Sequence, residues 1–168
     1  MSELEPVYST KLKHTGIFVY PELYNFVFEW LRTLEYTVIE QRYNEKIRPD
    51  GKEVEILWLC LRKINDYFRY RIKVSWLIKQ MVDVEVTEDG IKKKKNKAKI
   101  TIKISSFLEK DYENKWEQNP IAKFLRGVYD KFVINTKIEA YQDRLAEEVE
   151  ETLEQGKAFL ALEGRREP

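Results

Sequence analysis

The chain has 168 residues, 43% of them hydrophobic and 35% charged, and its 30 basic and 29 acidic residues leave a formal net charge of +1. These values exclude a disordered chain and give no whole-molecule attraction to nucleic acid or anionic membrane. They predict one domain over residues 1–168, structured from 8 to 156 and followed by a frayed tail at 157–168.

The single cysteine and the first residues of the sequence limit the possible classes of protein further. Cys60 has no partner for an internal disulfide, and a lone cysteine excludes a cysteine-cluster metal site. The start MSELEP lacks the apolar core of a signal peptide, and no apolar run approaches the roughly 20 residues that cross a bilayer. We therefore expect a cytoplasmic protein without a membrane span.

The first predicted elements are an extended segment over residues 8–19 and a helix from Pro21 to about Glu35. Proline suits a first helical turn, and apolar residues recur three and four positions apart over this stretch. These residues are Leu23, Phe26, Val27, Trp30, Leu31 and Leu34.

After the helix the apolar period changes to two, which predicts four successive antiparallel strands. A turn of proline, aspartate and glycine closes the first hairpin and sets Arg48 opposite Glu53. The following loop sets Trp58 opposite Ile72. The third of these strands has the longest alternation of apolar and polar residues. Its buried side chains are therefore predicted to continue from Trp76 through a series of valines. That series is Val82, Val84 and Val86.

The last predicted element is a long helix that starts at Asn119-Pro120 and carries an apolar stripe to Gly156. Such a helix would exceed about 50 Å, longer than a small domain is wide, so we expect it either to break, with Asn135-Thr136 as the weak point, or to project beyond the sheet. The predicted fold is therefore α+β: a twisted antiparallel sheet of about five strands packed on one long C-terminal helix, with one additional N-terminal helix.

Catalytic constellations are nearly missing from this sequence. His14 is the only histidine, and its neighbours offer no acid–base partner. The sequence contains no phosphate-binding glycine loop, nucleophile elbow, HExxH helix or EF-hand loop. Cys60 falls in a buried phase, where a thiol is usually inert. We therefore predict no catalytic residue, metal ligand or cofactor, and enzymatic activity ranks last.

The predicted inner face of the sheet mixes polar with aromatic side chains, a lining typical of ligand pockets. Sheet margins that reach water would give the same pattern. The first hypothesis is a non-catalytic module that binds an apolar, lipid-like small molecule between the sheet and the C-terminal helix. Its residues would be Gln41, Tyr43, Glu45, Trp58, Arg62, Tyr70, Trp76, Val128 and Phe132. Glu45 and Arg62 are a candidate ion pair within it.

A second hypothesis is a homo-oligomeric interaction or scaffold protein. Leu57, Leu59 and Leu61 share the outer phase of one strand, and aligned leucines need a cover. Either the first helix or a second copy of the chain would supply it.

A third hypothesis is a nucleic-acid- or ribosome-associated protein that uses a basic hairpin. The run Lys92, Lys93, Lys94 and Lys95 forms a predicted hairpin tip, and Arg69 and Arg71 add charge on the outer face. A solvated surface is the competing interpretation, because lysines also discourage pairing between sheet edges.

The order of an extended segment, a short helix, antiparallel strands and a long C-terminal helix resembles the helix-grip layout of START-like proteins. That resemblance covers residues 8–153 and implies a hydrophobic cavity gripped by the C-terminal helix. The chain departs from that layout in having four strands after the first helix instead of six, and one further helix instead of two. The segment from Lys13 to Phe18 is also similar to a K-H-x-G-I-F segment of uncharacterised archaeal proteins.

Overall fold

The computed structural model describes residues 3–113, 120–132 and 135–165, without the side chains at 126, 129, 130, 132, 135, 136 and 165. Its elements in chain order are β1 (Glu3–Phe18), α1 (Tyr20–Thr33), β2 (Thr37–Arg48), β3 (Gly51–Lys63), β4 (Phe68–Glu88), β5 (Ile91–Lys110), α2 (Pro120–Phe132) and α3 (Asn135–Arg165). The predicted α+β class is confirmed.

One open antiparallel sheet holds the five strands in the order β1-β5-β4-β3-β2. Strands β2 to β5 are joined by sequential hairpins. The N-terminal strand β1 pairs with β5 from Glu3 opposite Lys110 to Phe18 opposite Asn96. Strands β1 and β2 stand at the two ends of this order and therefore form the two edges of the sheet.

Both predicted hairpin registers were wrong by two residues. Arg48 pairs with Gly51 instead of Glu53, because the turn has only two residues between the strands. In the next hairpin Trp58 pairs with Val74 instead of Ile72. A shift of two positions by itself leaves each side chain on its predicted face, so the division into buried and exposed phases survives this error except beyond the register shifts between Glu40 and Arg42 and between Lys79 and Val82.

A β-bulge in β4 overturns the predicted burial of Val82, Val84 and Val86. Lys79 pairs with Lys99 but Val82 pairs with Lys97, so β4 holds one extra residue at this point. Gln80 takes a φ of 56°, in the left-handed region, and the alternation reverses after it. Met81 is buried and Val82 is 41% exposed.

Helices α1 and α3 pack on one face of the sheet, here called the inner face. The Tyr24 and Phe28 rings of α1 lie 5.1 and 5.8 Å from the Trp58 ring between centroids. On α3, the buried residues Leu145 and Val149 belong to the same core. Because α1 lies on the inner face, it does not cover the leucines of β3.

The opposite face of the sheet, here called the outer face, is covered by none of the described helices that pack on the sheet. Its central side chains are exposed or half-buried; they are Lys73, Ser75, Leu77, Thr101, Lys103 and Ser105. Among the described residues, the sheet therefore has α1 and α3 on its inner face, and the side chains of its outer face reach solvent.

The C-terminal region forms two helices in place of one. Helix α2 ends at Phe132 and α3 begins at Asn135, beside the predicted break. The predicted cap Asn119 lies outside the described residues. Helix α3 passes Gly156, the predicted end, and Leu160 and Glu163 of the predicted tail are buried. Among the described helices, none is long and apolar enough to cross a membrane.

Candidate functional site

Seven exposed lysines share the outer face on the three adjacent strands β1, β5 and β4. They are Lys11, Lys13, Lys73, Lys79, Lys97, Lys99 and Lys103. Strand alternation fixes their direction, since buried residues such as Leu12 and Ile102 flank them and point toward the helices. We call these seven residues the lysine face.

Two pairs within the lysine face stand directly opposite each other across neighbouring strands. Lys11 pairs with Lys103, and Lys79 pairs with Lys99. Like charges in this position destabilise a sheet. Within the described part of the chain, none of the seven lysines forms an ion pair within 4.0 Å. The fold therefore concentrates positive charge that it does not neutralise.

The charge of the molecule is strongly uneven. Because the whole chain has a formal net charge of +1, removing the seven positive charges of the lysine face leaves −6 for all other residues. Much of the negative charge lies on α3, whose acidic residues are Glu139, Asp143, Glu147, Glu148, Glu150, Glu151, Glu154 and Glu163. Since α3 packs on the inner face, a polyanion is attracted to one face and repelled from the other.

The predicted arginines Arg69 and Arg71 share one acidic partner on the outer face, Glu109. Arg69 donates from Nε and Nη2 to one Glu109 oxygen at 2.9 and 2.8 Å, and Arg71 lies 3.8 Å from the other oxygen. The Glu109 side chain is 3% exposed, and the Arg69 guanidinium stacks on the Tyr112 ring. The buried Glu109 carboxylate thus holds both arginines, and this cluster fixes one end of the β4–β5 hairpin.

Three of the four predicted hairpin lysines are also paired. Lys93 contacts Glu88 at 3.1 Å, and Lys94 contacts Asp83 at 3.1 Å. Lys95 is buried between Glu88 and Glu163, with 3.0 Å to the latter. Desolvation lowers the pKa of Lys95, but its hydrogen bonds to the two carboxylates more than offset this effect, so the pKa is raised. The fourth, Lys92, is exposed.

Alternation along β4 and β5 already indicates Lys73, Lys79 and Lys103 as outer-face residues. The sequence did not reveal that β1 adds Lys11 and Lys13 beside them, because this strand reaches β5 from the far end of the chain. The predicted basic site was the lysine run Lys92 to Lys95, but three of its four lysines form ion pairs within the fold.

The residues predicted to line a ligand cavity are distributed over several surroundings. Trp58 and Trp76 are buried and their rings lie 5.1 Å apart, with α1 packed against them. Gln41, Tyr43 and Glu45 are exposed on the edge strand β2. Further along the chain, the Val128 side chain is exposed on α2, and the side chain of Phe132 lies outside the described set.

Arg62 does not meet Glu45, which instead lies 3.4 Å from Lys52. The partner of Arg62 is Glu148 of α3, at 2.8 Å, and Arg62 also donates to the Leu34 carbonyl at 2.7 Å. The proposed Glu45–Arg62 pair was therefore wrong, since the two residues belong to different ends of the inner face.

Two tyrosines enclose the Arg62 guanidinium. The Tyr36 and Tyr70 rings lie 4.9 and 5.0 Å from it. Tyr36 donates to Glu148 at 2.6 Å, and Tyr70 donates to the Tyr141 carbonyl at 2.7 Å. Burial, with the Glu148 hydrogen bond, raises the pKa of Tyr36, and burial raises the pKa of Tyr70 to about 12. The cluster joins sheet and helix.

Described residues line a surface cavity of about 400 Å³ at the β4–β5 hairpin tip, formed by Asp83, Val84, Glu85, Lys92, Lys93 and Lys94. They also line two surface cavities beside the helices. One of about 300 Å³ lies where α1 begins, lined by Tyr20, Pro21, Glu45, Lys52, Met81, Asp83 and Asn96. The other, about 530 Å³, is an open groove on the helices, lined by Glu22, Asn25, Phe26, Glu29, Trp30, Thr33 and Phe159. Of the predicted ligand-binding residues, Glu45 lines the cavity where α1 begins.

The remaining candidate residues are the outer-face leucines, Cys60 and His14. Leu57, Leu59 and Leu61 are half-buried on the outer face of β3. Cys60 is fully buried, and its burial raises the pKa of the thiol to about 12. The His14 ring packs edge-on against Phe18 at 6.3 Å. Among the described residues, no three His, Cys, Asp or Glu side chains are grouped to hold a metal ion.

The fold and its charges define a class: an α+β domain whose sheet has helices on one face and a basic, exposed lysine face on the other. Comparison with family models, with curated proteins and with solved structures finds no match to this chain. The resemblance to START-like proteins therefore stays a prediction.

Proposed function

We propose that the protein binds nucleic acid through the outer face of its sheet. The lysine face carries the proposal, because seven exposed lysines lie together without acidic partners among the described residues. Lysines that contact phosphates release condensed counterions, which supplies most of the free energy of non-specific binding to nucleic acid. The cross-strand repulsion of Lys11 with Lys103 and of Lys79 with Lys99 falls when phosphates lie between them.

The shape of the lysine face favours a linear polyanion over a flat anionic membrane. The seven lysines lie on three adjacent strands, a width of about 10 Å at about 4.8 Å between strands. Along β5 they extend from the position opposite Lys73 to Lys97, eight residues or about 27 Å. A narrow strip of this kind follows a polymer backbone, whereas a membrane would also contact the less basic strands β2 and β3.

The test compares two triple variants that remove the same charge. Lys79→Gln, Lys99→Gln and Lys103→Gln together remove three lysines of the lysine face. Lys92→Gln, Lys93→Gln and Lys94→Gln remove three from the hairpin tip. We expect the first variant to weaken binding of a labelled 20-nucleotide duplex or single strand about tenfold or more at 0.1 M salt, and the second by less than about threefold.

Fluorescence anisotropy measures both affinities. Equal losses in the two variants would show attraction by overall charge and contradict the proposal. Wild-type protein that binds neither nucleic acid at low salt would contradict it directly. The first variant should unfold at the same or a higher urea concentration than wild type, since it removes like-charge repulsion.

A second candidate function is the binding of a small apolar molecule near Trp76. The Trp76 indole N–H is buried and has no hydrogen-bond partner among the described residues. Buried donors are normally paired, so a ligand acceptor would complete this one. A saturable change in tryptophan fluorescence with an apolar ligand, lost in Trp76→Phe, would support this function. A linear, non-saturable response would contradict it.

A homodimer through Leu57, Leu59 and Leu61 would place a second copy beside the lysine face. Light scattering at high protein concentration, with Leu59→Lys as the variant, tests that partner separately from nucleic acid.

A further inference from the structure

We infer that the nucleic acid bound by the lysine face is double-stranded and is recognised through its phosphates, without reading of base sequence. This inference rests on the proposed function and names its substrate class. Three properties of the outer face support it: the scarcity of aromatic side chains among its described strand residues, the type of its cationic side chains, and its dimensions.

Proteins that bind single strands usually stack the bases on aromatic side chains. Strand alternation points seven aromatic residues of this sheet inward; these are Tyr8, Phe18, Tyr43, Trp58, Phe68, Tyr70 and Trp76. Among the described strand residues, Phe107 is the one aromatic side chain on the outer face, and it is half-buried. The face therefore offers phosphates a partner but offers unpaired bases almost none.

The cations of the lysine face are all lysines. Direct reading of bases uses arginine or lysine at guanine and asparagine or glutamine at adenine; the planar guanidinium donates two hydrogen bonds in fixed geometry, and the planar amide donates one and accepts one. The nearby arginines Arg69 and Arg71 form ion pairs with Glu109, so their guanidinium groups are not free to read bases. Lysine is a flexible point charge that suits phosphates at variable positions. Binding should therefore depend little on sequence.

The dimensions of the strip agree with one side of a duplex. Its length of about 27 Å approaches the roughly 34 Å of one helical turn. A rigid duplex presents phosphates along that length without loss of base stacking. A single strand would have to be ordered on the face, at an entropic cost that the few aromatic side chains among the described strand residues offset little.

The experiment measures anisotropy of a labelled 20-base-pair duplex DNA, a duplex RNA of the same length and both component single strands. We expect duplexes to bind at least about fivefold tighter than single strands, and duplexes of different sequence to agree within about threefold. The logarithm of affinity should fall with the logarithm of salt concentration at about −0.9 per phosphate contacted. The variant without Lys79, Lys99 and Lys103 should lower that slope by about 2–3.

Phe107→Leu provides the matched control, because it removes the ring and keeps an apolar side chain. Its duplex affinity should stay within about twofold of wild type. Single strands that bind as tightly as duplexes, a loss above about fivefold in Phe107→Leu, or strong sequence dependence would each overturn this inference while leaving the proposed function standing. Absence of binding to every nucleic acid would overturn both.

Discussion

The guanidinium of Arg62 lies 2.8 Å from the carboxylate of Glu148, and this pair joins β3 to α3 inside the protein. The two side chains are 13% and 9% exposed, so their charges are largely removed from water. Such a pair contributes little when complete, but removal of one partner leaves a charge that is costly to bury.

Replacement of Glu148 by alanine should therefore lower the free energy of unfolding by about 2–4 kcal/mol. Arg62 would lose its carboxylate, and Tyr36 would lose its acceptor. Urea denaturation followed by circular dichroism measures this change. Glu147→Ala, on the exposed side of the same helix, is the control and should change the value by less than about 0.5 kcal/mol. Equal effects of the two substitutions would show that the buried pair has no special role.

Alkaline pH should destabilise the fold through its buried tyrosines. The pKa of Tyr70 is raised to about 12 and that of Tyr36 is also raised, mainly by burial. Above the ordinary pKa of about 10, the unfolded chain loses phenolic protons that the folded chain retains, so stability falls as pH rises. The raised pKa of Lys95 has the same sign.

The urea midpoint measured from pH 9 to 11.5 tests this expectation. We expect a progressive fall above pH 10 in wild type and a shallower fall in Tyr70→Phe, which has no proton to lose at that position. Parallel curves for the two proteins would mean that Tyr70 does not contribute to the pH dependence.

Gly51 occupies a position that no other residue fits. Its φ is +137°, and a Cβ there would lie 2.8 Å from the backbone carbon of Gln80 in the bulge of β4. Gly51→Ala should therefore lower the free energy of unfolding by about 2 kcal/mol or more, through backbone strain and a clash with main-chain atoms.

Gly90 is the matched control for this substitution. It also has a positive φ, +78°, but an added Cβ would meet no atom within 4 Å. Gly90→Ala should cost about 1 kcal/mol, from strain alone. The difference between the two urea-derived values isolates the contact between the turn and the bulge, and a difference near zero would contradict that contact.

Lys95 should matter for stability although its neighbours in the lysine run do not. The pairing of β5 with β1 ends at Asn96, and Lys95 lies directly before it in β5. Its ion pair with Glu163 connects the hairpin to the last turns of α3. Lys95→Ala should lower the free energy of unfolding by about 2–3 kcal/mol, because two carboxylates lose a buried cation. Lys92→Ala, at an exposed position, should change it by less than about 0.5 kcal/mol. Thermal and urea unfolding that rank the two variants equally would refute the connection.

The sequence by itself determined the class of fold and the division of side chains between faces. Alternation in β3, β4 and β5 identified buried residues such as Trp58 and Ile102 without a correct register, because an error of two residues leaves the face unchanged. The helix near Pro21 followed equally from local spacing. Periodicity is a local property, so one chain segment is enough to read it.

Only the tertiary structure decided which charges are neutralised and which are brought together. Lys95 meets Glu163 across 68 residues, whereas Lys11 meets Lys103 with no acid between them. The bulge at Gln80 likewise reversed the phase of the valines that follow it. These outcomes depend on the pairing of distant strands and on one backbone torsion. The lysine face became visible only when β1 was placed beside β5, since charge in a protein acts through distance in space and not along the chain.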